Sequence, residues 1–305
     1  MSMPPTFATP PGFFALPRTD GTDAAVCVAG IPLDLGTSNR AGARFGPQAI
    51  RQASRMLLDG DHPTHWVPPA EMPLADIGDF RIALGDLKES LRLIERQAMT
   101  VPHLVVLGGD HSITLPLLRA LSRRTGRLGL VHFDAHVDTW PDSFGQVYGH
   151  GSPFYHAINE GLVDPARMVQ VGIRSPMQKH IHDWTVAQGV TVIPAMTVHT
   201  DGPLAVARRI VDVVGDGPAY LTFDVDALDP AFAPGTGTPE IGGLASWQAQ
   251  AILRQLTPIQ FVGMDVVEVS PPHDVAEITA LAAATFVWEY LALVAVARGE
   301  PRETA

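Results

Sequence analysis

The sequence predicts an α/β fold: a mostly parallel sheet held between two layers of helices. Three observations carry that expectation. Short, near-continuous apolar runs recur along the chain, as strands buried on both faces require. Stretches with apolar residues at helical spacing alternate with them. No linker, internal repeat or shift in composition breaks the alternation after a Pro-rich start.

Taken in order, residues 1–22 are rich in Pro, Thr and Gly and read as an irregular arm, a candidate to pack on a neighbouring subunit. Residues 23–305 read as one domain. The expected strands are 24–31, 103–107, 128–133, 168–173, 190–193, 219–224 and 260–266. The expected helices are 87–100, with Leu91, Leu93, Ile94 and Ala98 setting the period, then 114–124, 204–214 and 246–256, where Ser246 can cap the first turn. Residues 278–298 are apolar on most sides and read as a buried helix.

Composition narrows the function. Of 305 residues, 46% are hydrophobic and 17% charged, which fits a globular protein with a large core. No apolar run of about 20 residues stands out, so no transmembrane helix is expected. The start lacks a basic stretch followed by an apolar segment, so no secretory signal is expected. Cys27, the single cysteine, lies in the run AAVCVAGI and reads as a buried strand residue. It has no partner for an internal disulfide, which makes the cytoplasm the expected location. The formal charge is −11, and no basic cluster is denser than RAGAR or LSRRTGR. Phosphate-driven nucleic-acid binding is therefore not expected.

The chemistry gathers at strand ends, where an open parallel sheet collects its functional groups. The run HLVVLG leads into Gly108-Gly109-Asp110-His111, and LGLVHF leads into Asp134-Ala135-His136-Val137-Asp138. AYLTF leads into Asp224-Val225-Asp226, and FVGMDVV leads into Glu268. Carboxylates are seldom buried unless paired or bound to a cation. In an extended segment positions i, i+2 and i+4 share one side, so Asp134, His136 and Asp138 are expected to converge, as are Asp224 and Asp226. His111 follows two glycines that allow close backbone approach. Four carboxylates and two imidazoles, without a thiolate, suit Mn²⁺ better than a structural zinc. Six donors exceed what one open site needs, so two cations sharing carboxylates are expected. A single strand-end aspartate is as readily a helix cap; the ordered set is the specific signal. The GTGTPEIGG run lacks the Gly-Lys-Ser/Thr ending of a phosphate loop.

At these residues the chain resembles the ureohydrolase superfamily of arginases, agmatinases and guanidinobutyrases, over nearly everything from Val28 to Val294. The motifs are GGDHSITLPLLRA, LVHFDAHVDT, HGSPF, YLTFDVDALDPAFAPGTGTPEIGGL and FVGMDVVEVSPP. The resemblance implies a three-layer, arginase-like α/β/α sandwich and two Mn²⁺ per subunit, with Ni²⁺ as the alternative. It assigns the first cation to His111, Asp134, Asp138 and Asp224. The second goes to Asp134, His136, Asp224 and Asp226, so that Asp134 and Asp224 bridge. It also assigns a proton-shuttling role to His150 and guanidinium binding to Glu268. The implied reaction is hydrolysis of a small guanidino substrate to urea and an amine, Asp138 passing a proton to the leaving amine. A homo-oligomer, trimer or hexamer, is implied as well.

Agmatine is the first substrate expectation. Trp140 stands where arginases carry an Asn that reads the amino-acid head group, and the loop 141–149 holds no Lys or Arg. Trp140, Phe144 and Tyr148 are expected to line a channel for an aliphatic chain, with Asp142 near its cationic end. The run EITALAA also resembles agmatinases. Guanidinobutyrase or another guanidino-acid or guanidine hydrolase is the alternative, with Arg40 and Arg44 as candidate carboxylate partners, although loop anchoring is the plainer reading of both. Ser152 departs from the Thr or Met expected in agmatinases. A non-catalytic partner subunit or a one-metal deacetylase-like enzyme fits less well, because every ligand position is filled. His103, His132, His156, His180, His182 and His199 are read as structural or solvated.

Overall fold

A computed structural model describes residues 12–299. Its strands are β1 (Val26–Gly30), β2 (Leu74–Asp79), β3 (Leu104–Leu107), β4 (Leu128–Phe133), β5 (Val163–Ile173), β6 (Thr191–Pro194), β7 (Pro218–Asp224) and β8 (Gln260–Val267). They form one sheet in the order β2-β1-β3-β8-β7-β4-β5-β6, with every pair parallel. The helices are α1 (Gly46–Ser54), α2 (Leu87–Ala98), α3 (Thr114–Thr125), α4 (Pro153–Asn159), α5 (Lys179–Ala187), α6 (Ala195–Asp201), α7 (Pro203–Val214), α8 (Ser246–Leu253) and α9 (Ile278–Arg298).

Each strand alternates between two cores, as its period of two dictates. In β4, Val131 and Phe133 face the core built with α1, α7, α8 and α9. Leu128 and Leu130 face the core built with α2, α3 and α4. That is the three-layer sandwich the sequence predicts. The seven expected strands are present and β2 is an addition. Its sequence, LADIGD, hides a buried strand behind two aspartates. Tertiary contact explains it: the buried Arg51 of α1 donates to Asp76 at 2.7 and 3.0 Å and to Asp79 at 2.6 Å.

Three expectations need correction. Residues 1–11 of the proposed arm lie outside the described residues, but Phe13 and Phe14 are buried in the chain's own core rather than left for a neighbour. The Phe13 N–H donates to Asp76 Oδ2 at 2.7 Å and the Phe14 N–H to Ser54 Oγ at 2.9 Å, tying this segment to β2 and α1. Ser246 is not a cap. It is the first helical residue of α8, and the Gln248 carboxamide oxygen instead accepts from the Ala245 N–H at 3.0 Å. Finally, the expected buried helix 278–298 is present as α9, but, contrary to the expectation of no apolar run of about 20 residues, it is long and apolar enough to cross a membrane by length and composition. It is instead a core helix, packed on α1, α8 and β8 with 67% of its apolar window buried.

Candidate metal centre

The sheet order explains why the functional groups meet. β3, β8, β7 and β4 are consecutive neighbours at the middle of the sheet. Their carboxyl ends deliver His111, Glu268, Asp224 and Asp134 side by side. Gly109 is required there: a Cβ would lie 2.2 Å from the Leu33 carbonyl oxygen. Asp138 and Glu268 hold positive φ values of 49° and 65°, a strained conformation for residues with side chains.

Convergence does not arise from an extended D-x-H-x-D segment, as the spacing predicts. β4 ends at Phe133, and the chain turns immediately. Asp134 Oδ1 accepts from the His136 N–H at 2.6 Å, Asp224 Oδ1 from the Asp226 N–H at 2.8 Å, and Asp110 Oδ1 from the Ser112 N–H at 3.0 Å. These are short Asx-type turns at strand ends. The capping reading and the ligand reading are thus compatible: one oxygen satisfies a backbone donor while lone pairs remain.

The six expected donors come together. Nδ1 of His111 lies 3.2 Å from Asp134 Oδ2, 3.0 Å from Asp138 Oδ2 and 3.4 Å from Asp224 Oδ2. Nδ1 of His136 lies 3.3 Å from Asp134 Oδ1 and 3.1 Å from Asp226 Oδ2. Asp134 therefore offers one oxygen to each imidazole, as a bridging carboxylate would. His111 Nδ1 is buried and has no hydrogen-bond partner although three carboxylates surround it. Its other nitrogen, Nε2, is engaged by Thr222 Oγ1 at 2.8 Å. An orphaned, ring-surrounded nitrogen among carboxylate oxygens fits a cation.

Electrostatics point the same way. Burial, then the charges of Asp226 and Asp134, push Asp224 well above the usual carboxylate range. Burial also raises Asp226. Burial opposes ionisation of Asp134 too, but His132, His111 and His136 hold it well below its ordinary value. Such a cluster resists full ionisation by itself, and two divalent cations would balance four carboxylates.

Glu268 and His150 stand beside the cluster. Glu268 Oε1 accepts from the His111 N–H at 2.8 Å and contacts His150 Nδ1 at 2.9 Å. Its Oε2 is buried without a partner. Gly237 lies beside it: a Cβ there would stand at ordinary contact distance, 3.5 Å, from Oε2. His150 Nε2 accepts from the Ser38 N–H at 3.1 Å and meets Ser38 Oγ at 2.6 Å. Burial lowers the His150 pKa, but Glu268, with Asp138 and Asp110, outweighs it and draws the value up to about 9. Positive charge in the carboxylate cluster would pull it back.

A cavity of about 430 Å³ opens over the cluster, lined by His136, Asp138, Asp224, His150 and Ser38, then by Trp140, Asp142, Phe144 and Gln178. No Lys or Arg lines it. Tyr148 does not line it either: its ring lies under the Arg119 guanidinium at 5.6 Å and against His156. The extra support for that ring lies on α3, where local sequence cannot show it. Arg44 anchors its loop, donating to Asp34 Oδ1 at 2.6 Å, and Arg40 is exposed away from the cavity lining. Ser152 Oγ donates to the carbonyls of Val147 and Gly149, so it closes its own loop.

Sequence reasoning missed several residues. His132 is the main one: it is fully buried, and its Nε2 lies 2.7 Å from Asp134 Oδ2. The signal was present, because His132, Asp134, His136 and Asp138 recur every second position. Ser38 and Gln178 carried no such signal, and Asp110 was marked only as part of the Gly108–His111 run. Asp110 accepts from the Gly36 N–H at 2.8 Å and so ties the Ser38 loop to β3. The remaining histidines keep their plain reading. His103 contacts Tyr290 Oη at 2.7 Å, His156 the Val147 carbonyl at 2.7 Å, His182 faces Asp183, and His199 meets the Gly242 carbonyl.

Comparison with known proteins covers nearly the whole chain. The model of the arginase family matches residues 24–292. A guanidinopropionase of Pseudomonas aeruginosa is 48% identical over 303 residues, covering 95% of this chain and 93% of that protein. An agmatinase of Cronobacter sakazakii is 44% identical over 298 residues, covering 95% and 94%. The solved structure of proclavaminate amidino hydrolase from Streptomyces clavuligerus superposes with a TM-score of 0.91 at 39% identity, covering 96% of this chain and 99% of that one. With the match spanning the sheet and every strand end that bears the site, the chain belongs to the arginase family.

Proposed function

We propose that this protein hydrolyses agmatine to putrescine and urea at a pair of Mn²⁺ ions. One observation carries the reading: the unpartnered Oε2 of Glu268 stands beside a six-donor cluster in which Asp134 faces both imidazoles. His111, Asp134, Asp138 and Asp224 would hold one ion, and His136, Asp134, Asp224 and Asp226 the other. Bound there, a cation pair supplies a nucleophile from water near neutral pH and stabilises developing negative charge.

The chain's own residues do the rest. Glu268 Oε2 accepts a guanidinium N–H in a charge-assisted bond and orients the central carbon. The hydrogen bonds to Oε1 from His111 and His150 keep that carboxylate from turning away. Asp138 lines the cavity while Oδ2 faces His111; we assign it the relay of a proton to the leaving nitrogen. We assign His150, which lines the cavity beside Ser38, the exchange of protons with solvent. The relatives named for agmatine and for guanidinopropionate support hydrolysis at a guanidino carbon.

The tail preference rests on the cavity wall. A carboxylate tail would be desolvated there without a cation, whereas an ammonium meets Asp142, Trp140 and Phe144. The 48% identity to a guanidinopropionase favours 3-guanidinopropionate as the second reading. We also assign the protein to the cytoplasm, in keeping with its lone buried thiol. We assign it to a homo-oligomer, in keeping with the apolar groove at Phe232, Ile278 and Leu281.

Urea release measured on agmatine, 4-guanidinobutyrate, 3-guanidinopropionate, arginine and guanidine, each with Mn²⁺ and with Ni²⁺, tests the reading. Agmatine with Mn²⁺ should give the highest kcat/KM. A higher value on 3-guanidinopropionate would move the assignment to the second reading, and no urea from any of them would refute it.

A further inference from the structure

A parallel sheet covered on both faces is expected to be apolar throughout. Here one level is not. Gln170 of β5, His132 of β4, Thr222 of β7 and Asp265 of β8 are register neighbours across four adjacent strands. All four are fully buried. The row lies directly beneath the strand ends that carry the candidate ligands. Burying four polar side chains in a core is costly unless each is bonded, so their bonds are informative.

On one side, His111 Nε2, Thr222 and Asp265 form a chain that continues to Thr114 and Tyr220. On the other side the geometry settles a tautomer. Gln170 Nε2 lies 2.6 Å from the Val137 carbonyl oxygen and 3.1 Å from His132 Nδ1. Turning the amide over would set two carbonyl oxygens against each other at 2.6 Å, so the NH₂ group faces Val137. The same NH₂ then donates to His132 Nδ1, which must be the acceptor nitrogen. The proton of His132 is therefore on Nε2, pointing at Asp134 Oδ2 at 2.7 Å. Phe154 seals the arrangement, its ring 4.3 Å from His132 and 5.3 Å from His111.

We propose that His132, held by Gln170, is a positioning residue that donates to Oδ2 of Asp134 and fixes the plane of this carboxylate across the two cation positions. Each Asp134 oxygen then carries one protein donor: His132 Nε2–H on Oδ2 and the His136 backbone N–H on Oδ1. The donor on Oδ1 is main chain and survives substitution. The donor on Oδ2 is a side chain, so the position beside His111 depends on His132 more than the position beside His136 does. As a donor bound to a carboxylate oxygen, Nε2 has no lone pair for a cation, which separates His132 from the six ligands. The inference rests on the two-cation reading above.

Its test is stepwise Mn²⁺ binding to the metal-stripped full-length protein, followed by calorimetry and by metal content after gel filtration. The wild type should bind two Mn²⁺ per chain. His132→Leu, similar in bulk but without a donor, should keep one site near wild-type affinity and weaken the other roughly 10- to 100-fold. His132→Gln, whose amide can present an N–H to Asp134, should recover most of that loss. Gln170→Leu should give a smaller loss at the same site. The metal-free unfolding temperature of each variant checks that it is folded. Two unchanged sites in His132→Leu would overturn the inference alone. Equal loss at both sites, or no recovery with glutamine, would make His132 a ligand or a packing residue and overturn it as well. A wild type that binds fewer than two ions would remove the two-cation reading itself, and the inference with it.

Discussion

At the residue scale, the site combines donors with different obligations. Asp134, Asp110 and Asp224 each satisfy a backbone N–H two residues on, leaving other lone pairs free. Glu268 is held in a left-handed conformation with one oxygen bonded twice and the other bare. Substituting Glu268 by Gln removes the charge that faces the guanidinium but keeps the shape. We expect kcat/KM to fall at least about 100-fold, equivalent to roughly 3 kcal/mol, with two metals still bound. Steady-state urea release and metal content on the same sample check both halves. Loss of metal with loss of turnover would mean that Glu268 supports the cluster rather than the substrate.

Elements supply the rigidity on which those residues depend. α1 is clamped to edge strand β2 through Arg51, buried at 3% exposure against the fully buried Asp76. Replacing Arg51 by Met keeps the bulk and leaves a carboxylate buried without its cation. The expected cost is about 3–5 kcal/mol of stability, read from urea unfolding, while turnover per folded molecule stays near wild type because Arg51 is remote from the cavity lining. An unchanged midpoint would show that water reaches Asp76. Elements also explain where sequence reasoning stopped. β2 and the Phe13–Phe14 segment are mutually supported by Asp76, and neither is persuasive alone. α9 is legible because an almost wholly apolar stretch is informative whatever packs on it.

At the scale of the whole molecule, the sheet gathers the site at its carboxyl edge and leaves a half-buried histidine at the opposite one. His103 precedes β3 there, and its Nε2 meets Tyr290 Oη. Burial first, then Arg298 and Arg124, lowers its pKa to about 4 from an ordinary 6.5. Between these values the unfolded chain binds the extra proton, so stability rises with pH across the window and is lost as pH falls from about 6.5 towards 4. The loss amounts to at most about 3 kcal/mol. Urea unfolding of metal-free protein at pH 7 and pH 5 should show it, and His103→Gln should flatten that part of the profile. An equally steep profile in the variant would assign the acid sensitivity to other groups.

The alternation of apolar runs and helical periods was enough to determine the sandwich, because burial on both faces of a parallel sheet leaves a local signature. The ordered strand-end motifs were enough to single out the six candidate ligands together with Glu268, because polar groups at the ends of core strands need a shared purpose, whereas His150 came only from the family resemblance of HGSPF. Tertiary structure alone decided the rest. It set β3, β8, β7 and β4 side by side, turned Tyr148 towards Arg119, matched Arg44 with Asp34, and laid Gln170, His132, Thr222 and Asp265 in one buried row. Those outcomes depend on strand order and on partners many residues away, and a one-dimensional pattern records which side chains a segment has, not whom they meet.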